Sequence, residues 1–145
     1  MDIHILNNNC NNLTDVSEDI KQVTCFQCLK EYFPKYNFSY GFINEDIKVI
    51  QIRNKKAKIA EAKVTITKKP FPLFIFDVWV HYRHRRKGLA RIMMRKIMLE
   101  EGPPILLRAY QFGKNSKCGN KDLIKFYESL GFVELNTDNK MLWKI

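Results

Sequence analysis

Residues 73–90 of this chain read LFIFDVWVHYRHRRKGLA. The first eight of them are almost all apolar, which is typical of a β-strand that is covered on both faces. From Leu89 to Glu101 apolar side chains recur at helical spacing, and Gly102 followed by two prolines ends that pattern. We therefore predict a buried strand over 73–80 that leads through a basic turn into an amphipathic helix over about 89–101.

The turn between this strand and this helix concentrates positive charge. Seven Lys or Arg residues and no carboxylate lie between Arg83 and Lys96. The first turn of a helix has unpaired backbone N–H groups and the positive end of the helix dipole, so it can hold a diphosphate. Gly88 allows close backbone approach, and small Ala90 leaves the next position open. A solvated basic face and a patch that neutralises nucleic-acid phosphates are the two alternative interpretations.

The rest of the chain alternates between short strands and helices. Period-two patterns predict further strands over 3–6, 49–52, 59–67, 105–110, 132–135 and 141–145. Helical spacing predicts one helix that ends near Tyr32 and another over about 121–130. The aromatic segment from Tyr36 to Phe42 is interpreted as a partly irregular connection. With no repeat and no linker, residues 1–145 are expected to form a single mixed α/β domain.

Composition narrows the class of protein. The 145 residues are 46% apolar and 28% charged, which is ordinary for a globular protein and excludes wholesale disorder. No run of about 18 apolar residues occurs, and the first residues lack the basic and apolar regions of a secretory signal. We expect a cytoplasmic protein with no membrane partner. The net charge of +10 favours an anionic partner.

Two motifs resemble those of one known family. Residues 85–90, RRKGLA, match the Arg/Gln-x-x-Gly-x-Gly/Ala signature of the GNAT superfamily of N-acetyltransferases. Residues 120–132, NKDLIKFYESLGF, resemble the helix of that family in which a Tyr follows an Asn by seven residues and precedes Leu-Gly-Phe. The order of the predicted elements is similar as well. The resemblance implies a GNAT fold of α+β type, with a mixed, mostly antiparallel sheet of six to seven strands flanked by about four helices.

The resemblance also implies a site for acetyl-CoA as co-substrate. The diphosphate would meet the backbone from about Arg86 to Arg91, and the pantetheine arm would pair with a strand end that splays from its neighbour. Asn120 would approach that arm, and Tyr127 would protonate the departing CoA thiolate. The implied cofactor-binding residues are Trp79, Val80, His81, Arg85, Arg86, Lys87, Gly88, Leu89, Ala90, Arg91, Asn120 and Tyr127.

The expected activity is direct transfer of an acetyl group, within a ternary complex, to a primary amine. A protein lysine, a protein N-terminus and a small-molecule amine remain open as acceptors. A neutral phenol is a proton donor, which suits Tyr127 as general acid. The general base is open among Asp77, His81 and Glu61, with Asp77 taken as the catalytic candidate alongside Tyr127.

The cysteines give no sign of a metal or of a covalent intermediate. Cys25 and Cys28 are three residues apart, but no second pair follows at the spacing of a zinc site. No cysteine stands in a nucleophile position, and Cys118 is interpreted as a free surface thiol. We therefore expect neither a metal nor an acetyl-enzyme.

A second hypothesis belongs to a different functional class. The charge of +10 and the Arg83–Lys96 cluster are also compatible with a catalytically silent GNAT-fold module that binds nucleic acid. The presence of the motif residues argues against this hypothesis, because a protein that only binds nucleic acid has no need of them. These residues are Gly88, Ala90, Asn120 and Tyr127. The sequence leaves monomer and homodimer open.

Overall fold

The computed structural model describes residues 26–85, 87–109, 120–135 and 138–144. The predicted strand over 3–6, the predicted first helix before Phe26, Cys25 and Cys118 lie outside the described residues, as does Arg86. Asn120 is described as the first residue of a helix, and its side chain lies outside the description.

Seven strands of the described chain form one mixed sheet. They are β1 (Asn37–Phe42), β2 (Ile47–Asn54), β3 (Ala57–Thr65), β4 (Leu73–Val80), β5 (Ile105–Arg108), β6 (Val133–Glu134) and β7 (Lys140–Trp143). Their order across the sheet is β1-β2-β3-β4-β5-β7-β6. The pair β4–β5 is parallel, and the other neighbouring pairs are antiparallel. The expected sheet of six to seven mostly antiparallel strands is confirmed.

Three α-helices accompany the sheet in the described ranges: α1 (Phe26–Tyr32), α2 (Leu89–Glu101) and α3 (Asn120–Ser129). Helix α2 connects the parallel strands β4 and β5, and a short 3-10 helix (Tyr82–His84) precedes it. Gly102, with φ of 72°, ends α2 and donates its N–H to the Met98 carbonyl. None of the described helices is long and apolar enough to cross a bilayer.

The prediction for residues 36–42 was wrong, because Asn37–Phe42 is a strand. It pairs with β2 so that Phe38 lies opposite Ile52 and Tyr40 lies opposite Ile50. These aromatic side chains alternate along the strand and pack against the buried core. The regular ladder therefore gives the segment a strand conformation that its composition alone did not indicate.

The core lies between one face of the sheet and helix α2. Cross-strand partners project to the same face, and Ile50 opposite Ala62 and Val64 opposite Ile75 are all buried. Helix α2 contributes its own buried stripe to this core, namely Leu89, Ile92, Met93, Met94, Ile97 and Met98. Helix α1 lies on the same side of the sheet as α2, because the two helices are in contact. The ammonium of Lys96 on α2 lies 4.7 Å from the ring centroid of Phe26 on α1.

Strand β4 was expected to be covered on both faces, and in this the prediction was wrong. Leu73 and Ile75 are buried, whereas Phe74 and Phe76 are half-buried and Asp77 is exposed. The two phenylalanines lie on the sheet face opposite α2 and stack on each other, with ring centroids 6.3 Å apart. This mutual packing covers part of the apolar surface on that face.

The far end of α2 is fixed to β1 and β2 by a polar contact. The Tyr40 hydroxyl donates to Glu101 Oε2 at 2.7 Å, and the Lys48 ammonium lies 2.9 Å from the same oxygen. Burial, followed by the hydrogen bond to Glu101, raises the pKa of Tyr40. The hydroxyl therefore remains a neutral donor.

We expect Ile50→Ala to lower the free energy of unfolding by roughly 2–5 kcal/mol, because it opens a cavity beneath α2. Ile50 is fully buried. Urea denaturation of the two proteins measures the difference. Val133→Ala is the control, because Val133 is 66% exposed and its loss should change stability by no more than about 0.5 kcal/mol. Equal losses for the two variants would contradict this placement of the core.

Candidate functional site

Strand β4 contains one extra residue near its centre. Lys63 lies opposite Phe76 while Glu61 lies opposite Trp79, so two steps along β3 match three along β4. Asp77 has a φ of 52°, the left-handed conformation that is typical of a β-bulge. The bulge reverses which residues of β4 direct their backbone groups toward β3.

Beyond the bulge, one backbone edge of β4 faces away from β3. His81 donates its N–H to the Ile59 carbonyl at 2.7 Å, so in the antiparallel ladder Trp79 and His81 direct their backbone groups toward β3. The backbone groups of Val78 and Val80 therefore point to the opposite side, where β5 would continue. In the described residues, the ladder between β4 and β5 stops at Ile75 and Leu107. Within the described residues, the end of β4 thus has no strand partner on the β5 side, and we call this unpaired stretch the gap.

The gap leads to the N-terminus of α2. Gly88 begins this helix with a φ of 82° and no side-chain cap, and its carbonyl accepts the Ile92 N–H at 3.0 Å. The N–H groups of the first turn have no partner within the helix, and that turn contains no acidic residue. These donors and the helix dipole favour an anion here.

The basic side chains of this region have internal contacts. Arg85 Nε donates to the Val80 carbonyl at 3.0 Å, which ties the turn to the end of β4. Arg91 donates to Ser129 Oγ at 2.8 Å and lies over the Phe126 ring, so it joins the start of α2 to the end of α3. Two further cations are engaged in the same way, Lys87 with Tyr36 and Lys96 with Glu100.

Tyr127 lies on α3 within an aromatic cluster. Its ring centroid is 5.2 Å from that of Phe126 and 6.1 Å from that of Phe132, both at edge-on angles. The residue is 6% exposed, and burial raises the pKa of Tyr127 to about 12. Its phenol is therefore neutral at physiological pH and can donate a proton.

The three base candidates have different environments. Asp77 is at the bulge, half-exposed, with its Oδ2 3.6 Å from the Lys63 ammonium. Burial acts to raise the pKa of Glu61, but hydrogen bonds from Gln51 at 2.8 Å and Lys58 at 3.1 Å outweigh it and hold that pKa below its ordinary value. His81 accepts the Arg83 N–H with its Nδ1 at 3.2 Å.

The predicted residues thus occupy two adjoining regions. The strand end at 79–81 lies along the gap, and Arg85 with residues 87–91 lies at the end of the gap where α2 begins. Tyr127 is connected to this region through the contacts of Arg91 with α3. Sequence reasoning did not identify Val78, whose backbone faces the gap only because of the bulge. It interpreted Tyr36 as part of an aromatic connection and did not reveal its contact with the turn, which is distant along the chain.

Comparison with protein families identifies this fold. The profile of the family described as "Acetyltransferase (GNAT) domain" matches residues 44–134, which is more than half of the chain. The chain belongs to the GNAT acetyltransferase family. The family expected from the two motifs is thereby confirmed. A search of curated proteins found no significant match to the sequence.

Solved structures show the same fold at low sequence identity. The PaiA N-acetyltransferase from Thermoplasma acidophilum, in complex with coenzyme A, gives a TM-score of 0.52 at 14% identity, over 82% of this chain and 67% of that chain. An acetyltransferase from Thermus thermophilus gives 0.51 at 9% identity, over 70% of this chain and 64% of that chain. This GNAT chain therefore spans about two thirds of the length of each.

Metal ligands are not grouped in the described part of this GNAT domain. No cluster there contains three or more His, Cys, Asp or Glu side chains that could hold a metal ion. Cys28 is buried in the core.

We expect the alkaline stability of this GNAT domain to report the burial of Tyr127. A tyrosine ionises near pH 10 in the unfolded chain, and the fold raises the pKa of Tyr127 to about 12. The contribution of the neutral Tyr127 phenol to the free energy of unfolding is therefore complete below pH 10 and is lost as the pH rises toward 12. Denaturation of the wild type and of Tyr127→Phe over this range measures it, and the wild type should lose more stability. If the stability of the two proteins fell equally with pH, the assignment of a buried, neutral Tyr127 phenol would be contradicted.

Proposed function

We propose that this GNAT domain is an acetyl-CoA-dependent N-acetyltransferase that moves an acetyl group directly to a primary amine. One observation carries the proposal. The unpaired backbone edge of β4 leads to the N-terminus of α2, which has no side-chain cap. Backbone groups that can pair with an extended ligand are therefore followed by N–H groups that can bind an anion. Acetyl-CoA has a matching order, with an amide-bearing arm followed by a diphosphate.

The start of α2 suits the diphosphate. The first-turn donors from Leu89 to Arg91 and the positive φ of Gly88 provide backbone N–H groups without a side chain in the way. The signature residues Arg85, Arg86, Lys87 and Ala90 are proposed to complete this end of the site. Arg85 supports it indirectly as well, through its bond to the Val80 carbonyl.

The gap between β4 and β5 suits the pantetheine arm. Its two amides would pair with the backbone as a short strand does, and Val78 directs its backbone groups to that side. Val80 would contribute its N–H there, because its carbonyl already accepts from Arg85. Trp79 and His81 are proposed to border the arm with their side chains. Asn120 is proposed to approach the arm from the start of α3.

Tyr127 and Asp77 are the proposed catalytic residues. The neutral phenol of Tyr127 would protonate the departing thiolate. Asp77 is half-exposed at the bulge, where it would accept a proton from the acceptor amine. Glu61 is less suited as base, because Gln51 and Lys58 already bind its carboxylate.

The internal contacts of the basic cluster favour this function over nucleic-acid binding. Phosphate neutralisation along a duplex requires several cations that are free to reach separate phosphates. In the described part of the cluster, Arg83, Arg85, Lys87, Arg91 and Lys96 each bond to another group of the protein. Arg95 is the exception, since its Nε is buried without a hydrogen-bond partner among the described residues. These contacts connect the start of α2 to neighbouring groups. They leave fewer of these cations available to neutralise phosphates along a duplex.

The deciding experiment is calorimetric titration with acetyl-CoA, with desulfo-CoA and ATP as comparison ligands. We expect micromolar binding and a raised melting temperature for the wild type. Gly88→Ala should weaken binding, because a Cβ at this positive φ strains the turn and alters the first-turn donors. Gly102→Ala is the matched control, since Gly102 also has a positive φ but is at the opposite end of α2.

Two results would contradict the proposal. The absence of binding at millimolar acetyl-CoA would leave the turn as a basic face, and oligonucleotide titration over a range of salt concentrations would then be the next measurement. An equal loss of affinity in the two glycine variants would show that strain in α2, and not the phosphate end of the site, governs binding.

We expect Tyr127→Phe to lower kcat by roughly 10²–10⁴-fold, the usual contribution of a general acid, with little change in acetyl-CoA affinity. Asp77→Asn should also lower kcat and leave that affinity intact. Release of CoA thiol with a lysine peptide, an N-terminal peptide and spermidine as acceptors measures turnover. Glu61→Gln is the comparison variant and should have the smaller effect on kcat. Unchanged turnover in Tyr127→Phe would remove this residue from the mechanism.

A further inference from the structure

A buried tyrosine outside the two sequence motifs contacts the turn between β4 and α2. We call this turn the phosphate turn, because the proposed function places the diphosphate of acetyl-CoA beside it. Tyr36 is 5% exposed and lies between α1 and β1. Its ring stacks on Phe33 with centroids 5.8 Å apart and an interplanar angle of 16°. Its backbone N–H donates to the Phe33 carbonyl, and its own carbonyl accepts from the Lys30 ammonium, each at 3.0 Å. The ring therefore has one fixed position.

The hydroxyl of this fixed ring reaches two residues about fifty positions along the chain. It lies 2.6 Å from His84 Nδ1 and 3.1 Å from the Lys87 ammonium. The Lys87 ammonium is also 5.6 Å from the ring centroid, within the range of a cation–π contact. We call Tyr36, His84 and Lys87 the Tyr36 cluster.

The direction of one hydrogen bond follows from the chemistry of its donor, because an ammonium only donates and the Tyr36 oxygen therefore accepts from Lys87. The direction of the other depends on the His84 tautomer. We assign the neutral imidazole with its proton on Nε2, in which Nδ1 accepts the proton of the Tyr36 hydroxyl. Burial, followed by the charges of Lys87, His81 and Arg83, lowers the pKa of His84, so the imidazole is neutral at physiological pH. The cluster is a complete donor–acceptor chain.

The cluster spans the turn that precedes Gly88. His84 is in the 3-10 helix, and Lys87 is the residue immediately before Gly88. Arg83, Arg85 and Lys87 repel one another along this short segment. A neutral oxygen that accepts from Lys87 offsets part of this repulsion and fixes the direction in which the chain enters α2.

We propose that Tyr36 is a positioning residue for the phosphate turn. Through His84 and Lys87, its hydroxyl holds the approach to Gly88 in the position that directs the first-turn N–H groups of α2 at the diphosphate of acetyl-CoA. The inference rests on the proposed function and adds a residue that acts on the cofactor site without belonging to either sequence motif.

Tyr36→Phe tests the role of the hydroxyl while keeping the packed ring. The matched control is Tyr40→Phe, because the Tyr40 hydroxyl bonds to Glu101 at the opposite end of the same helix. Calorimetric titration with CoA should show a Kd roughly three- to thirtyfold higher for Tyr36→Phe, as for the loss of one or two hydrogen bonds to polar or charged groups. Tyr40→Phe should change the Kd by less than about twofold.

Two readouts separate positioning from a general structural effect. In ligand-free protein, the amide NMR signals of Gly88 and Leu89 should shift in Tyr36→Phe and remain in place in Tyr40→Phe. In a Lys87→Met background, the further effect of Tyr36→Phe on the Kd should shrink, because the two side chains act as one unit. Melting temperatures confirm that all variants are folded.

Each result has a distinct meaning. If the wild type binds CoA and Tyr36→Phe binds it equally well, the inference fails and the proposed function stands. Equal weakening in the two tyrosine variants, or an undiminished effect in the Lys87→Met background, also overturns the inference. If the wild type does not bind CoA, the proposed function fails and the cofactor role of the cluster fails with it. The amide shifts then still decide whether Tyr36 shapes the turn.

Discussion

The extra residue in β4 is the constraint on which the rest of the site depends. Asp77 takes a left-handed conformation and shifts the register with β3 by one residue. Beyond it, Val78 and Val80 direct their backbone groups away from β3, at the point where the ladder with β5 has already ended. Within the described residues these groups lie outside any strand ladder, and this is the edge at which we propose that an extended, amide-bearing ligand pairs.

Helix α2 connects the core to this edge. Its buried stripe packs on the sheet along the whole length of the helix, and its C-terminal end is fixed by Glu101 to Tyr40 and Lys48. Its N-terminal end is surrounded by cations that are engaged with neighbouring groups. A helix that is held at both ends keeps its first-turn donors in one place, and preorganised donors bind an anion at lower cost than mobile ones.

Two parts of the chain show why sequence reasoning succeeded in one place and failed in another. The bounds of β4 and α2 follow from local patterns, an apolar run and a helical repeat that ends at Gly102, so the predicted and observed ranges agree. Residues 37–42 form a strand because β2 provides a ladder for them, which no local pattern reveals. The partners of Tyr36 were not predicted for the same reason, since they are about fifty residues away.

The sequence by itself determined the family, the order of the elements and the positions of the Gly88 and Tyr127 motifs, because these depend on residue type and short-range spacing. Only the tertiary structure decided which backbone groups face the gap, which carboxylates are held by internal hydrogen bonds and which cations are engaged. A bulge and a hydrogen bond are set by the register and packing of strands that are distant in sequence. Their energies therefore come from contacts that a linear pattern does not encode.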